Sequence, residues 1–199
     1  MSISVITPTY QRPRFLANCL DQFSRQVKNI AAEHIVVSDG PDSLAKRLCE
    51  LYGASYFELP THKGKTGSYA RDLGIEKATG DYVVFWDDDN TIFPNALASA
   101  YATANGYDVG VTSITHIEPE ETFQLPIGWT GQPVLGRIDT LCVCVRRSVA
   151  QQVKWVGDKD IEVDYDWIKR VFDLGITSNY STDVIGLHVG YNRFKNFYE

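Results

Sequence analysis

Four bulky apolar residues, Val83–Trp86, run directly into three aspartates, Asp87–Asp89, and this junction constrains the fold more than any other segment. A continuous apolar run is typical of a central parallel strand, which is buried on both faces. In open α/β sheets, ligands bind at the carboxyl ends of such strands. Three adjacent carboxylates repel one another and favour a compensating cation. Hard oxygen ligands select Mg²⁺ or Mn²⁺, which bridge phosphates, so the junction predicts a metal and phosphate site. The alternative interpretation is a solvated acidic turn.

Strand and helix signals alternate through the first half of the chain. Strands are expected at Ile3–Thr7, His34–Ser38, Ser55–Leu59, Tyr82–Trp86 and Asp108–Thr115. Between them, helices are expected from Pro13, at Ser43–Leu51, at Thr66–Ala78 before Gly80, and at Pro94–Asn105. This β-α-β-α pattern predicts an α/β fold with a parallel, doubly wound sheet. Further along, a strand is expected at Leu141–Arg146 and a helix at Asp164–Leu174.

The segment 118–137 interrupts the alternation. It contains three prolines, three glycines and Trp129, which predict a long loop without regular structure. Such loops often close over a ligand, so we expect this one to be mobile without ligand and to order when a ligand binds. Trp129 is then partly exposed and available to pack on the ligand. The alternative is a static flap whose Trp129 fills the core.

Composition limits the classes of protein that the chain can represent. Its 199 residues fit one domain, and a hydrophobic content of 44% is ample for a packed core. A net charge of −6 argues against general binding to the nucleic-acid backbone. We expect no transmembrane segment, because no apolar run approaches 18 residues, and no signal peptide, because no basic region precedes the first strand. The four cysteines, none in a C-x-x-C pair, indicate buried reduced thiols in a cytoplasmic protein.

Several polar residues follow the predicted strands and suggest a nucleotide site. Asp39, after the second strand, can accept a hydrogen bond from a base or a ribose, although for this residue alone a turn aspartate is the commoner case. Tyr10, after the first strand, can stack on a base, or it can be an aromatic at the edge of the core. The glycine-rich, basic segment 62–67 leads into a helix carrying Arg71 and can cradle phosphates. Its spacing is not that of a P-loop.

Two further residues, Asp164 and His188, each fit two roles. At 100° per residue, Ile168 and Val171 fall within about 40° of Asp164 around its predicted helix. Both are apolar, so Asp164 is expected to point into the fold or a cleft, with a simple N-cap as the alternative. His188, near the C-terminus, can complete a metal site, although a structural histidine is the commoner case.

Taken together, these segments resemble a known family, the inverting glycosyltransferases of family 2 with the GT-A fold. The matching segments occur in family order and cover most of residues 1 to 175: Ser4–Tyr10, Ile35–Gly40, Ala70–Ile75 with Ala78–Tyr82, the Asp triplet, and Asp164–Arg170. The resemblance implies a three-layer α/β sandwich with a mostly parallel central sheet in a single compact domain. Residues 1–116 are then the nucleotide-sugar half, and residues 117–199 are the acceptor-side half.

The resemblance also implies a reaction and a role for each site residue. A sugar would move from a nucleotide-diphosphate sugar, most simply a UDP-sugar, to the hydroxyl of a saccharide or other acceptor, with Mn²⁺ or Mg²⁺ as cofactor. The implied nucleotide-binding residues are Thr7, Pro8, Tyr10, Asp39 at the uracil, Arg71 at the diphosphate, and Asp87 or Asp88 at the ribose or a metal-bound water. Asp89, with His188, would ligate the metal. Asp164 would be the base, and Trp129 and Asp139 are the acceptor-side candidates.

The chain departs from the family pattern just before the expected base. The family often has an acidic residue there, where this chain has Val163. Asp160 or Glu162 is the candidate to compensate.

Two other functions fit parts of the sequence. Asp87 to Thr91 matches the D-x-D-x-T pattern of haloacid-dehalogenase-like phosphatases, in which the first Asp is a nucleophile and Asp89 is the second acidic residue. That motif normally opens its domain and usually has Gly where this chain has Asn90, whereas 86 residues precede it here. A catalytically inactive sugar-nucleotide binding protein is the third possibility, and the presence of both Asp89 and Asp164 argues against it.

Overall fold

The computed structural model describes residues 2–26, 30–156 and 163–189 of the chain. Its strands are β1 Ser2–Thr9, β2 Ala31–Ser38, β3 Ser55–Glu58, β4 Tyr82–Phe85, β5 Thr91–Ile92, β6 Val109–Ile117, β7 Thr122–Leu125, β8 Val143–Arg146 and β9 Ser178–Val189. Its helices are α1 Pro13–Ser24, α2 Ser43–Tyr52, α3 Ser68–Lys77, α4 Ala96–Ala104, α5 Arg147–Ala150 and α6 Val163–Phe172. Short 3-10 turns occupy Lys65–Gly67 and Thr140–Cys142.

One half of the sheet is parallel, as the alternation predicts. Strands β3, β2, β1 and β4 lie side by side in that order. In register, Thr9 pairs with Ser38, and Ile6 pairs with Phe85. The carboxyl ends of β1, β2 and β4 therefore meet at one edge of the sheet, which brings together the residues that follow each strand.

Helices cover both faces of this half because side chains alternate along each strand. Val36 packs with apolar residues of α1 and α2, whereas Ile35 and Val37 belong to the main core. Helix α3 lies on β1 and β2. At Gly74 of α3, an added Cβ would lie well inside van der Waals contact of the Ile6 side chain, so a glycine allows this close approach.

The second half of the sheet is mixed. Strand β8 runs antiparallel between β4 and β6, β6 is parallel to β9, and β5 and β7 are antiparallel additions to β9 and β6. The predicted α/β class and its layered sheet are confirmed. In residues 2–26, 30–156 and 163–189, no helix combines the length and the apolar character that crossing a membrane requires.

The local structure differs from the sequence analysis at three places. The segment 118–137 is not without regular structure, because Thr122–Leu125 forms β7 against β6. Strand β9 was missed because its polar sequence lacks alternation; pairing with β6 and β5 supplies what local propensity does not. Helix α3 starts at Ser68 and ends before Ala78, so Gly80 is not its C-cap. All four cysteines are buried and unpaired, as expected.

Candidate active site

Side chains from three parallel strands meet at the carboxyl edge of the sheet. Thr9 ends β1, Asp39 follows β2, and Asp87 to Asp89 follow β4 after Trp86. The backbone fixes their spacing, because Asp39 N donates to Thr9 O at 2.8 Å and Trp86 N donates to Ile6 O at 3.0 Å. Four carboxylates, those of Asp39 and Asp87 to Asp89, therefore lie at this edge of the sheet.

Two arginines pair with the aspartate triplet. Arg12, just before α1, forms an ion pair with Asp88 and donates to Asp89 Oδ2 at 2.8 Å. Arg71 on α3 donates to Asp87 Oδ1 at 2.5 Å. The like-charge repulsion that the sequence implies is thus partly offset by protein cations.

The three aspartates differ in access to solvent. The Asp88 side chain is fully buried, and Thr9 Oγ1 donates to its Oδ2 at 2.7 Å. Burial raises the pKa of Asp88 to about 7, against the opposing charge of Arg12 and the hydrogen bond from Thr9. The side chains of Asp87 and Asp89 keep 25% and 28% of their surface exposed. Of the three, Asp87 and Asp89 are therefore the residues that can meet a ligand directly.

Arg71 is almost fully buried and is held in place by several contacts. Its Nη1 donates to Thr66 O at 2.7 Å, and its guanidinium carbon lies 4.7 Å from the centre of the Trp155 ring. Desolvation opposes the charge, but Asp87, Asp164 and Asp139 outweigh it and raise the pKa of Arg71. The cation is therefore permanent and preorganised.

Asp39 organises the basic loop that follows β3. Its two carboxylate oxygens accept hydrogen bonds from the backbone N–H groups of Lys63 and Gly64, both at 2.8 Å. His62 Nδ1 lies 3.0 Å from the same carboxylate, and its ring stacks on Tyr10 at 3.9 Å between centroids. The aromatic pair and the carboxylate lie together at the ends of β1 and β2. Asp39 thus holds the following loop, and Tyr10 is 38% exposed at the edge of the core. Nucleotide contacts of either residue stay predictions.

The loop itself carries backbone strain beside Arg71. Gly64, Lys65, Thr66 and Gly67 all have positive φ, and two of them are not glycine. Non-glycine residues in this region cost on the order of 1 kcal/mol or more and concentrate at functional sites. A Cβ at Gly67 would lie 2.9 Å from Pro8 Cβ, so Pro8 packs beneath the turn.

The Thr7 side chain forms its contacts inside the fold. Its Oγ1 lies 2.9 Å from His34 Nε2 and 3.6 Å from Cys19 Sγ, and the residue is fully buried. A nucleotide contact by the Thr7 side chain is therefore not available in this structure, and Thr9 takes the position facing the aspartates.

Asp164 lies in the first turn of α6, as its second residue, and is not an N-cap. Burial raises its pKa to about 7, and the charges of Asp139 and Asp87 add to this effect against that of Arg71. Thr140 Oγ1 donates to Asp164 Oδ2 at 3.4 Å. The helical-wheel prediction that Asp164 faces inward fits this setting, because Ile168 and Val171 are buried. Asp160 and Glu162 lie outside the described residues.

A second cluster lies beside Asp164. Asp139 Oδ1 accepts from Leu141 N–H at 2.8 Å, and its Oδ2 lies 2.6 Å from His188 Nδ1. Burial lowers the pKa of His188, but the bond and the charge of Asp139 outweigh it and raise that pKa to about 9. Burial alone would raise the pKa of Asp139, but the hydrogen bond and charge of His188 outweigh burial, and the pKa of Asp139 is lowered. His188 therefore meets Asp139, while its predicted partnership with Asp89 stays a prediction.

Trp129 is half-buried. Its ring packs on Phe172 at 5.6 Å and on Tyr180 at 6.1 Å between centroids. The contacts tie the segment 118–137 to α6 and β9, so Trp129 both supports the core and keeps part of its surface open.

The structure adds residues to which the sequence analysis gave no individual role. Arg12, Thr9, His62, Trp155 and His116 all contact residues of the site. Arg12 lies two residues after Tyr10, but which carboxylate it reaches depends on how β1 and β4 pair. No sequence spacing links Trp155 to Arg71, or His116 to His188.

The layered α/β fold, with a carboxylate-rich edge where its parallel strands end, is of the GT-A type. The sequence profile of "Glycosyl transferase family 2" matches residues 4–141. The match spans more than half of the chain, and the chain belongs to glycosyltransferase family 2. The predicted resemblance is confirmed, and the phosphatase alternative loses its support.

Curated relatives agree with the family. Glycosyltransferase AglE of Haloferax volcanii is 25% identical over 206 residues, which cover 94% of this chain and 66% of AglE. The uncharacterized glycosyltransferase YibD of Escherichia coli K12 is 31% identical over 111 residues, which cover 55% of this chain and 32% of YibD. The chain thus spans less than two thirds of the length of these relatives.

Solved structures share the fold. The S. aureus TarS 1-349 complex with UDP-GlcNAc superposes with a TM-score of 0.79 at 19% identity, covering 96% of this chain and 59% of TarS 1-349. The mannosyltransferase PcManGT of Pyrobaculum calidifontis, in complex with GDP-Man and Mn²⁺, gives a TM-score of 0.69 at 16% identity, covering 96% and 57%. At these identities the likeness establishes the fold alone.

Proposed function

We propose that the protein is a metal-dependent, inverting glycosyltransferase that moves a sugar from a UDP-sugar to an acceptor hydroxyl, with Asp164 as the base. The observation that carries the proposal is the setting of Asp164. Its pKa is raised to about 7 by burial, beside a fixed arginine and the aspartate triplet. A general base works best with a pKa near the working pH, so this carboxylate suits proton abstraction.

The surface beside Tyr10 and Asp39 is proposed to hold the nucleotide. Asp39 keeps unshared electron pairs for a uracil N–H, and Tyr10 offers a ring on which the base can stack. Because His62 already covers one face of Tyr10, the base has to displace His62 or use the opposite face. Asp87 is the favoured ribose contact, since Asp88 is fully buried.

The diphosphate is proposed to lie between the basic loop and Arg71. Arg71 is a permanent cation already directed at Asp87, and its position beside the strained turn 64–67 needs no reorganisation. Charge that develops on the leaving diphosphate would be stabilised there.

The residues present fit a divalent cation. Asp87 and Asp89 offer partly exposed carboxylate oxygens, a donor set that suits Mn²⁺ or Mg²⁺. Asp89 is the proposed first ligand, and His188 through its Nε2 a further one, as the family implies. When bound, the cation supplies charge neutralisation for the diphosphate.

At the acceptor side, Asp164 is proposed to take the proton of the attacking hydroxyl. Inversion requires that this hydroxyl approach the anomeric carbon opposite the leaving diphosphate, which Arg71 holds. Asp139 and Trp129 border this side, and the exposed part of Trp129 is available to a sugar face.

The role of Asp164 as catalytic base is tested by comparing the variant Asp164→Asn with Asp166→Asn. Asp166 lies two residues further along α6 and serves as a matched control. Release of UDP from UDP-sugars is measured with a panel of saccharide acceptors. Asp164→Asn should lose on the order of 10²- to 10⁴-fold in turnover with unchanged UDP affinity, because the amide cannot accept the proton. The control should retain parental turnover. Parental turnover in Asp164→Asn would place the base elsewhere.

The donor and cation are tested by calorimetry. UDP should bind clearly more tightly with Mn²⁺ than with EDTA, and Asp89→Asn should remove most of that difference. Parallel titrations of GDP- and dTDP-sugars show which nucleobase the protein prefers. Equal UDP affinity with and without Mn²⁺ would contradict the metal role of Asp89.

A further inference from the structure

Trp155 contacts both helices that carry the proposed reacting groups. Its side chain is almost fully buried. The guanidinium carbon of Arg71, on α3, lies 4.7 Å from the centre of its ring. Trp167, on α6, stacks on the same indole with 4.6 Å between the ring centroids and 6° between the ring planes. One side chain therefore meets the cation proposed for the diphosphate and the helix that carries the proposed base.

Helix α3 also fixes the backbone at Trp155. Asp72, the residue that follows Arg71, accepts a hydrogen bond at Oδ1 from Trp155 N–H over 2.9 Å. Its second oxygen, Oδ2, accepts from Val156 N–H at 3.4 Å. Hydrogen bonds to a charged carboxylate are stronger than those between neutral groups. The position of Trp155 is thus linked to that of Arg71 through the backbone as well as through the ring.

Helix α6 holds the same segment, residues 153–156. Trp167 Nε1 donates to Val153 O at 3.0 Å. Arg170 Nη1 donates to Lys154 O at 2.6 Å. Because these bonds reach backbone oxygens, they depend on the path of the chain and not on the side chains of the segment. Segment 153–156 therefore connects α3 to α6 by hydrogen bonds on both sides.

The ring is the part of the Trp155 indole that this position uses. Trp155 Nε1 is buried and has no hydrogen-bond partner within the part of the chain that the structure describes. An unpaired buried N–H is destabilising, so packing alone would favour a phenylalanine here. Tryptophan, however, provides the best cation–π contact of the aromatic side chains. The residue type thus points to the contact with Arg71, independently of the hydrogen bonds around it.

We propose that Trp155 is a positioning residue for the transfer reaction and sets the distance between Arg71 and Asp164. The inference rests on the proposed function, in which Arg71 stabilises the leaving diphosphate and Asp164 takes the proton of the acceptor. These two groups act on opposite sides of the anomeric carbon in an in-line displacement. A misplacement of about 1 Å can cost about 100-fold in rate. Trp155 acts through Arg71 and α6, without a substrate contact of its own.

Arg71 has other contacts that do not depend on Trp155. It donates to Asp87 Oδ1 at 2.5 Å and to Thr66 O at 2.7 Å. These bonds keep its charge at the site when the indole is removed. Loss of Trp155 should therefore lower turnover and leave the affinity for UDP nearly unchanged, since ground-state binding needs the charge but not its exact distance from the base.

The experiment compares Trp155→Leu and Trp155→Phe with Val153→Ala, a buried apolar control on the same segment. It measures kcat and KM for a UDP-sugar with Mn²⁺, UDP affinity by calorimetry, and urea unfolding. Trp155→Leu should lower kcat by about 10- to 100-fold and change UDP affinity by less than about 3-fold. Trp155→Phe keeps an aromatic face for Arg71 and should lie between the parent and Trp155→Leu. Val153→Ala should destabilise the fold and retain parental kcat.

A double-mutant cycle with Arg71→Lys separates positioning from packing. Lysine keeps the charge but has no planar group to stack on the indole. In the Arg71→Lys background, Trp155→Leu should therefore lower kcat by less than about 3-fold, because the effects of residues that act through one another are not additive. If Trp155→Leu does not fold, Trp155→Phe is used in the same cycle, with the same requirement that its loss shrink in the Arg71→Lys background.

The possible failures can be told apart. In an active parent, an unchanged kcat in Trp155→Leu would overturn the inference, and so would equal losses in the two Arg71 backgrounds. An equal loss of kcat in Val153→Ala would also overturn it, because packing of the segment would then be sufficient to explain the effect. A parent that transfers no sugar from any UDP-sugar would overturn the proposed function, and the inference with it.

Discussion

Asp88→Asn should make the stability of the protein less dependent on pH. The Asp88 side chain is fully buried, and its pKa in the folded protein is about 7, against an ordinary value of 3.8. The folded state therefore holds a proton that the unfolded state releases between these two values. The destabilising cost is absent below about pH 4, grows through this window, and is complete above about pH 7.

The magnitude follows from the two pKa values. The full cost of ionising Asp88 is about 4 kcal/mol above pH 7, and about 2 kcal/mol of it is already present at pH 5. Asparagine cannot ionise and can still accept the hydrogen bond from Thr9. Relative to the parent, the variant should therefore gain about 2–3 kcal/mol between pH 5 and pH 8. Other titrating groups are common to both proteins and cancel in the difference.

The assay is urea unfolding at pH 5, 6, 7 and 8 with chelator present and no nucleotide. Asp183→Asn, an exposed carboxylate on β9, is the matched control and should follow the parent at every pH. A pH-independent difference between Asp88→Asn and the parent would refute the reasoning, because it would mean that the buried carboxylate titrates alike in the folded and unfolded states.

Three further predictions concern activity, packing and the loop. The transfer rate of the parent should rise with pH through an apparent pKa of about 7, since Asp164 acts only when deprotonated; a flat profile from pH 5 to 8 would contradict this. Gly74→Ala should destabilise the fold by about 1–3 kcal/mol in urea unfolding, because its methyl group meets Ile6; an unchanged midpoint would count against the close approach. Trp129→Phe should remove most of the fluorescence change that UDP-sugar and acceptor induce in the parent, and an undiminished change together with protease resistance of the free loop would exclude a lid.

Predictions from the sequence succeeded best where residues close together in the chain determine the local structure. The apolar run Val83–Trp86 requires burial on both faces, so β4 could be recognised as a strand inside the sheet, and β2 before Asp39 could be recognised in the same way. The expectation of parallel neighbours holds for β1 only, because β8 pairs with β4 in the antiparallel direction. Right-handed β-α-β connections then bring the carboxyl ends together, which is why the Asp triplet and Asp39 were expected at one edge. The helical period also placed Asp164 on the inward side of α6.

The tertiary structure decided what depends on partners distant in the chain. Strand β9 has a polar sequence and exists because β6 and β5 pair with it, and β7 forms within a segment rich in proline and glycine because β6 offers an edge. Whether Arg12 reaches Asp88, and whether His188 meets Asp139, depends on residues 76 and 49 positions apart in the sequence. The raised pKa values of Asp88 and Asp164 come from burial, which no local pattern encodes. The sequence alone therefore indicates which groups are candidates for the chemistry, and the fold determines their charge.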